Sequence, residues 1–348
     1  MTVVTMPQRG RRARGLEIIT LGQLLDHRFA PREDLIGPWL RTGESALLWA
    51  APGTGKSLLA LSLAIMVAGG GSVLGWHSPK PRKVIFVDGE MAAEDLKERM
   101  EWLLNTVEGV DKEAARSNLY ILSRNWQAAE VPFPDLAKRD GRDGRPSDQD
   151  LYMQLAEKHG AELLIADNFS TLADVSDENE AAAMTPVLAF LLRLKQARIG
   201  CILVHHSGKT GATYRGSSKL ATTFEVVLGL KPLEENATVG GAAFELEWTK
   251  YRREPCEAVK GRDVRLAKDA EGNPKWNATA TEDDDVSRML AEVKKCRHRT
   301  QTALGDVLGW DRNRVSVLKR RAINAGKITE GDWREFLKDP DREDNPDF

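Results

Sequence analysis

The sequence predicts an α/β fold with a mostly parallel central sheet. Six short apolar runs are bounded by polar residues or glycine, at residues 46–50, 84–87, 119–122, 163–166, 201–204 and 226–230. Such runs are typical of strands that are buried on both faces of a sheet. Longer helical patterns alternate with the runs, at about residues 56–68, 93–106, 149–158 and 181–196. Because strands that alternate with helices form βαβ units, this order favours parallel pairing.

Composition narrows the class of protein. The chain has 348 residues, 41% hydrophobic and 29% charged, which indicates a folded enzyme with material for about two domains. Its 50 Lys and Arg against 52 Asp and Glu argue against a histone-like polybasic binder. The longest apolar stretch, 58–71, is interrupted by Ser62 and is shorter than the ~18–20 residues that span a bilayer. Scattered cysteines without CxxC spacing argue against a disulfide framework and a zinc site, so we expect a cytoplasmic protein with no membrane partner.

Charge is distributed unevenly along the chain. Residues 1–15 carry four Arg and no acid, and residues 291–327 carry ten basic against three acidic residues. Residues 328–348 carry eight acidic and three basic residues. These shifts predict a basic N-terminal arm at 1–19, an α/β domain at 20–268, an acidic linker at 269–285, a basic helical module at 286–335 and an acidic tail at 336–348.

The strongest motif follows the first predicted strand. Residues 50–57 read AAPGTGKS, the P-loop pattern GxxxxGK[ST] with Ala50 in place of the first glycine. In this pattern backbone N–H groups surround phosphate oxygens at a helix N-terminus. The residues expected to bind the nucleotide are Pro52, Gly53, Thr54, Gly55, Lys56 and Ser57. We expect Lys56 to contact the β- and γ-phosphates and the Ser57 hydroxyl to bind Mg²⁺, the alternative being a plain glycine-rich turn before a helix.

Two carboxylates follow other predicted strands and complete the chemistry of such a site. Asp167 ends the run LLIAD and would be the second anchor for Mg²⁺, although an Asp in this position is also common as a turn residue or helix cap. Glu90 lies in VDGE after the strand at 84–87 and would orient or deprotonate the attacking water. The alternative is that Glu90 caps the next helix, and Asp88 is the second candidate for the base.

A third strand end carries a histidine pair. His205 and His206 follow the run at 201–204, and a polar side chain there can hydrogen-bond the γ-phosphate. Such a pair is also found in purely structural roles or as metal ligands, but no third ligand follows at the spacing of a zinc site.

The order of these motifs resembles a known family. P-loop, VDGE, LLIAD, LVHHSGK and YRGSS follow one another as in RecA-like ATPases of the hexameric plasmid replicative helicase (RepA) type, over residues 20–255. The resemblance implies ATP and Mg²⁺ as cofactors, Glu90 as catalytic base and His206 as sensor of the γ-phosphate. It also implies that Arg215 is an arginine finger acting on the neighbouring subunit's ATP, and that Lys250 and Arg252 form a second basic pair at the nucleotide.

The same resemblance implies a homo-oligomeric ring, as a hexamer, with single-stranded DNA in its channel. Lys209 is the residue of the loop after His206 that we expect at the DNA backbone. The loop after Asp167, DVSDENE, is acidic and would repel phosphate. DNA translocation therefore has weaker support in the sequence than ATP hydrolysis.

The basic module resembles winged-helix DNA-binding domains. Helices are predicted at 286–295, 300–308 and 312–325, with a wing at 328–333. The residues expected on or near the recognition helix are Arg312, Arg314, Lys319 and Arg320. The alternative is that these basic residues only solubilise a helical bundle or bind an acidic partner.

Three functions remain open on the sequence. The first is a DNA-stimulated ATPase or helicase in replication of a plasmid, phage or mobile element. The second is an ATP-switched DNA-binding regulator without unwinding activity. The third is an ATPase of a recombination or defence module.

Overall fold

A computed structural model describes residues 16–141, 145–174, 185–206, 223–233, 241–269, 272–280 and 282–337. Its strands are β1 Asp34–Ile36, β2 Leu40–Arg41, β3 Ser45–Ala50, β4 Gly71–Val73, β5 Trp76–Ser78, β6 Val84–Asp88, β7 Leu119–Ser123, β8 Leu163–Asp167, β9 Gly200–His206, β10 Val226–Pro232, β11 Ala242–Tyr251, β12 Arg262–Lys268 and β13 Pro274–Ala280. Its α-helices are α1 Leu21–Asp26, α2 Lys56–Gly69, α3 Ala93–Leu103, α4 Lys112–Asn118, α5 Asp148–His159, α6 Phe169–Leu172, α7 Thr185–Gln196, α8 Glu282–Val293, α9 Gln301–Leu308, α10 Arg312–Asn324 and α11 Glu330–Phe336.

One nine-stranded sheet organises the described part of the chain. Its strand order is β13-β12-β11-β10-β3-β9-β8-β6-β7. The six strands from β10 to β7 pair in parallel, and β11, β12 and β13 pair antiparallel at one edge. All six apolar runs of the sequence form these parallel strands. The predicted α/β class with a mostly parallel sheet is therefore confirmed.

Helices cover both faces of the sheet. Successive residues of β3 point to opposite faces, so that Leu48 joins the core under α2 while Trp49 joins the core under α5 and α7. The helix α2 is buried almost all round, and Ser62 is the one polar side chain after its first two residues. Because α2 is enclosed in this way, the P-loop at its N-terminus stands on a rigid support.

The segment predicted as an acidic linker belongs in part to the sheet. Residues 274–280 form β13, which pairs with β12 along its whole length. The Trp276 side chain turns inward, packs 5.9 Å from the Phe244 ring and donates its indole N–H to Ser62 Oγ on α2 at 2.9 Å. The linker prediction was wrong for residues 274–280. An edge strand with one large inward side chain lacks the continuous apolar run that marks a strand buried on both faces.

The C-terminal module has its own hydrophobic core. Apolar residues of α8, α9, α10 and α11 form this cluster, which includes Leu304, Val315 and Trp333. The helices predicted at 286–295, 300–308 and 312–325 are present, the first starting earlier at Glu282. The wing predicted at 328–333 was wrong: Thr329 and Asp332 form a capping box that begins α11.

No helix of the described residues is long and apolar enough to cross a membrane. Residues 1–15 of the arm predicted at 1–19 and residues 338–348 of the tail predicted at 336–348 lie outside the described residues.

Candidate active site

The P-loop joins the carboxyl end of β3 to α2. Gly53 and Gly55 have φ of 76° and 109°, in the left-handed region that favours glycine. A Cβ at Gly55 would also lie 2.5 Å from the Ala242 side chain of β11. Thr54 Oγ1 closes the turn by donating to the Ala51 carbonyl at 2.8 Å. The predicted loop is thus held in a bent form that favours glycine at positions 53 and 55.

Lys56 extends back along the loop that precedes it. Its Nζ donates to the carbonyls of Ala50 and Ala51 at 3.1 and 2.8 Å, and the residue is only 6% exposed. Burial lowers the pKa of Lys56, while the charges of Asp167 and Glu90 oppose that shift. An ammonium in this position lacks most of its hydration and would be stabilised by phosphate oxygens.

Asp167 ends β8 beside the start of α2. The Ser57 hydroxyl hydrogen-bonds its carboxylate, and the other carboxylate oxygen, Oδ2, is buried without a hydrogen-bond partner among the described residues. Burial raises the pKa of Asp167 from 3.8 to about 6, and the nearby Asp88 and Glu90 charges act in the same direction. An under-satisfied carboxylate next to a hydroxyl is suited to a cation.

The Ser57 hydroxyl and the Asp167 carboxylate are a ligand set typical of Mg²⁺, and a metal bound by protein alone would need more ligands. Mg²⁺ is typically bound by one or two protein oxygens, with phosphate and water completing the shell. Ser57 and Asp167 supply such a pair, and the described residues contain no cluster of three His, Cys, Asp or Glu suited to a metal ion. Both residues were predicted for this role from the sequence.

Asp88 lies next to Asp167 in the sheet but has a different environment. The two residues are partners in the β6–β8 register, and Asp88 is 1% exposed. Its carboxylate accepts the Met91 N–H at 3.2 Å and the Ser123 hydroxyl at 3.3 Å. Burial raises the pKa of Asp88, and these hydrogen bonds oppose the shift. Asp88 therefore holds the turn of residues 88–91, which leaves Glu90 as the better candidate for the base.

Glu90 is held over the cleft by two asparagines. Asn168 Nδ2 donates to Glu90 Oε2 at 2.6 Å. Asn125 Nδ2 donates to the backbone carbonyls of Glu90 and Met91 at 3.2 and 2.9 Å. The Glu90 side chain is exposed to the cleft, and its charge reaches both Lys56 and Asp167. The sequence analysis missed Asn168 and Asn125, although the position of Asn168 directly after Asp167 could have indicated it.

A single cleft of about 1370 Å³ connects these groups. Most of the predicted nucleotide residues line it, together with the predicted base, metal anchor and sensor: Pro52, Gly53, Gly55, Lys56, Ser57, Glu90, Asp167 and His206. The cleft continues along α3 and reaches the end of β12, where the sequence analysis found no candidates. The added lining residues include Asp95, Arg99, Trp102 and Lys268. The space is large enough for a nucleoside triphosphate.

Lys250 and Arg252 lie far from this cleft within the same chain. Ala242, against the P-loop, stands at one end of β11, and Lys250 stands eight residues further, roughly 26 Å along the strand. The neighbouring Arg253 pairs with Glu44 at 3.1 Å, just before β3 begins. The predicted contact of Lys250 and Arg252 with ATP is therefore wrong for the chain's own nucleotide. Arg215 and Lys209 lie outside the described residues.

The four predicted DNA-binding residues of the module divide into two pairs. Arg314 forms an ion pair with the buried Asp285, and Lys319 bonds Glu330 at 2.7 Å. Arg312 and Arg320 are exposed on α10. Arg314 and Lys319 therefore hold helices of the module together, and the opportunity for a nucleic-acid contact lies with Arg312 and Arg320.

The family model of the AAA domain AAA_25 matches residues 12–212. Solved structures with a similar fold include a KaiC-like protein of Pyrococcus horikoshii OT3, with 17% identity over 70% of this chain and 93% of that chain and a TM-score of 0.45. Another is the flagellar accessory protein FlaH of Methanocaldococcus jannaschii, with 13% identity over 69% and 91% of the two chains and a TM-score of 0.44. No curated protein matches the chain.

Proposed function

Because the chain belongs to the AAA_25 family of AAA domains, we propose that it is a RecA-like P-loop ATPase that hydrolyses ATP at the cleft. The observation that carries the proposal is the convergence of Lys56, Asp167 and Glu90 from three different strand ends on one space. Each of these groups has a distinct task in phosphoryl transfer. Asp167 and Ser57 would hold Mg²⁺, which neutralises developing phosphate charge when it is bound.

The residues of the chain would perform three steps. The P-loop N–H groups and Lys56 bind the phosphates and keep the γ-phosphate in one orientation. Glu90 accepts a proton from water, whose oxygen bonds to the γ-phosphorus while the bond to the β–γ bridging oxygen breaks. His206, at the end of β9 and on the wall of the cleft, hydrogen-bonds the γ-phosphate. ADP and inorganic phosphate are the products.

Two substitutions separate binding from hydrolysis. Lys56→Ala should abolish ATP turnover because it removes the cation at the phosphates. Glu90→Gln keeps the shape of the side chain but removes the base, so it should bind ATP normally and hydrolyse it about 10²–10⁴-fold more slowly. Steady-state phosphate release and binding of a fluorescent ATP analogue measure the two effects. Full activity of Lys56→Ala would refute the assignment, and normal turnover of Glu90→Gln would move the base elsewhere.

We also propose that the site is completed by a second copy of the chain in a ring. Arg215 would stabilise transition-state charge in the neighbouring subunit, as the resemblance in its RGSS motif implies. Lys250 and Arg252 are too far from their own P-loop, so their contact with ATP would also cross a subunit boundary. ATP hydrolysis would then depend on assembly.

Mixing two inactive variants tests this sharing. Arg215→Ala and Lys56→Ala chains each lack one half of a site, and a mixed ring contains some interfaces with both halves intact. We expect ATPase activity to return on mixing, and native mass to show that the variants assemble. A mixed assembly of the expected mass without any activity would count against the shared site.

The second part of the proposed function is DNA binding by the C-terminal module, supported by one face of α10. Arg312, Ser316 and Arg320 follow at four-residue spacing, and Asn313 and the 53% exposed Val317 flank them. Val315, Leu318 and Ala322 lie on the opposite, buried face. Arg and Asn side chains on an outward helix face, after the Gly309 turn, are suited to phosphates and base edges in a major groove.

The paired variant Arg312→Ala/Arg320→Ala tests this face. We expect it to weaken duplex DNA binding and to reduce the slope of log Kd against log salt by about 2, one for each lost phosphate contact. Lys97→Ala/Lys112→Ala removes the same charge from exposed positions on α3 and α4 and is the matched control. Equal losses in both variants would show that only net charge matters and would contradict the proposal.

DNA binding alone does not distinguish a helicase from an ATP-switched regulator or from an ATPase of a recombination or defence module. Of these functions we propose a helicase of a replicating element, because a helicase combines an ATP-driven ring with DNA binding. Displacement of a strand from a forked duplex supports it. ATP turnover without unwinding, together with tight binding to one duplex sequence, favours the regulator.

A further inference from the structure

The side-chain amide of Asn168 hydrogen-bonds the carboxylate of the candidate base, Glu90. Asn168 follows Asp167 directly, is 3% exposed, and its Nδ2 donates to Glu90 Oε2 at 2.6 Å. Its carbonyl oxygen, Oδ1, is buried and has no hydrogen-bond partner among the described residues. Asn168 also lines the cleft. A buried amide with one end on a carboxylate and the other end unsatisfied requires an explanation.

The turn that carries Glu90 does not depend on Asn168. The Gly89 N–H donates to the Asp167 backbone carbonyl at 2.9 Å, and the Met91 N–H donates to the Asp88 carboxylate. Asn125 holds the carbonyls of the same turn. These contacts fix the backbone, so the Asn168 amide acts only on the position of the Glu90 carboxylate.

Asn168 is itself held firmly. Its backbone carbonyl accepts the N–H groups of Thr171 and Leu172 at 3.2 and 3.1 Å and the Thr171 hydroxyl at 3.1 Å, at the start of α6. The next residue, Phe169, is fully buried against the His205 ring. The amide is therefore preorganised, and the Glu90 carboxylate is placed by a rigid group.

A purely structural role explains this arrangement poorly. A buried acceptor without a donor destabilises the fold, and an apolar side chain would avoid that loss. A water molecule at the wall of the cleft would supply the donor that Oδ1 lacks. Water has two protons, so a single molecule can donate one to Asn168 Oδ1 and the other to Glu90.

We propose that Asn168 is the positioning residue for the attacking water, acting together with Glu90. This inference rests on the proposed ATPase function. The Nδ2 group holds Glu90 Oε2, which leaves Oε1 to take a proton from the water. Oδ1 accepts the second O–H of that water and directs its oxygen towards the γ-phosphate. The proton moves to Glu90, the oxygen–phosphorus bond forms, and ADP leaves with the electrons of the broken bond.

Two variants of Asn168 test the inference in the full-length chain. Asn168→Asp keeps the shape but removes the donor and places a second carboxylate beside Glu90, and Asn168→Ala removes the whole amide. Both should lower kcat about 10- to 100-fold, because small misplacement of a reacting group has effects of that size. Affinity for a non-hydrolysable ATP analogue should change less than about threefold, since the hydrogen bonds described for Asn168 go to Glu90 and to Thr171 and Leu172.

A double-mutant cycle separates positioning from damage to the fold. If Asn168 acts through Glu90, adding Asn168→Asp to Glu90→Gln should slow hydrolysis no further. Asn118→Ala is the matched control: it removes a side-chain amide that donates to the Ala68 carbonyl at 3.1 Å and does not line the cleft, so kcat should stay within about threefold of the wild-type value. Thermal unfolding of each variant shows whether it is folded. If Asn168→Ala does not fold, Asn168→Asp alone tests the inference.

The outcomes are distinct. Wild-type kcat in Asn168→Asp, or a loss that multiplies fully with Glu90→Gln, overturns the inference while the ATPase proposal stands. A wild-type chain without ATP turnover, or full activity in Lys56→Ala, refutes the proposed function and this inference together.

Discussion

Charged side chains are buried where the parallel strands of the sheet end, and the surrounding fold must hold them there. Lys56, Asp88 and Asp167 are all more than 90% buried at the carboxyl ends of neighbouring parallel strands or at the helix that follows one of them. Burial acts against the charged form of each, lowering the pKa of Lys56 and raising those of the two carboxylates. Such groups persist only where a stable framework holds them.

The framework is the parallel part of the sheet with its two helical layers. Because β9 lies between β3 and β8, the P-loop and Asp167 stand on strands two positions apart, and His206 ends the strand between them. β6 follows β8 in the sheet and carries Glu90 on the turn after its last residue. The antiparallel strands extend this support, since Ala242 packs at Gly55 and Trp276 bonds Ser62 on α2. The sheet order therefore decides which side chains meet.

The parallel strands and the principal groups of the site were predictable because their signals are local. A continuous apolar run marks a doubly buried strand, and GxxxxGK[ST] states its own phosphate chemistry. β13 was missed because an edge strand has no such run, and the wing was wrong because a Thr–Asp capping box is short and easily overlooked.

Other features of the site depend on long-range contacts and could not be predicted. Asn168 and Glu90 are 78 residues apart along the chain, and their hydrogen bond follows from the pairing of β6 with β8. Lys250 lies near the end of β11, where the motif predicts a basic residue. Because β11 runs antiparallel to β10, this end of the strand lies away from the P-loop. Likewise, the partner of Arg314 is Asp285, a residue of another helix. Pairings of this kind appear only once the topology is known.

We propose that Asp167 is kept as a buried, destabilising carboxylate because a cation at the nucleotide needs it. A carboxyl whose pKa is raised from 3.8 to about 6 costs folding stability in full above pH 6, on the order of 3 kcal/mol, and the cost fades as pH falls towards 4. Thermal unfolding of the nucleotide-free wild-type and Asp167→Asn chains, compared between pH 8 and pH 5, measures it most directly. We expect Asp167→Asn to be the more stable chain at pH 8, the difference to shrink at pH 5, and the variant to lose Mg²⁺-dependent ATP binding. A wild-type chain as stable as the variant at pH 8, or a variant that keeps Mg²⁺-dependent binding, would contradict it.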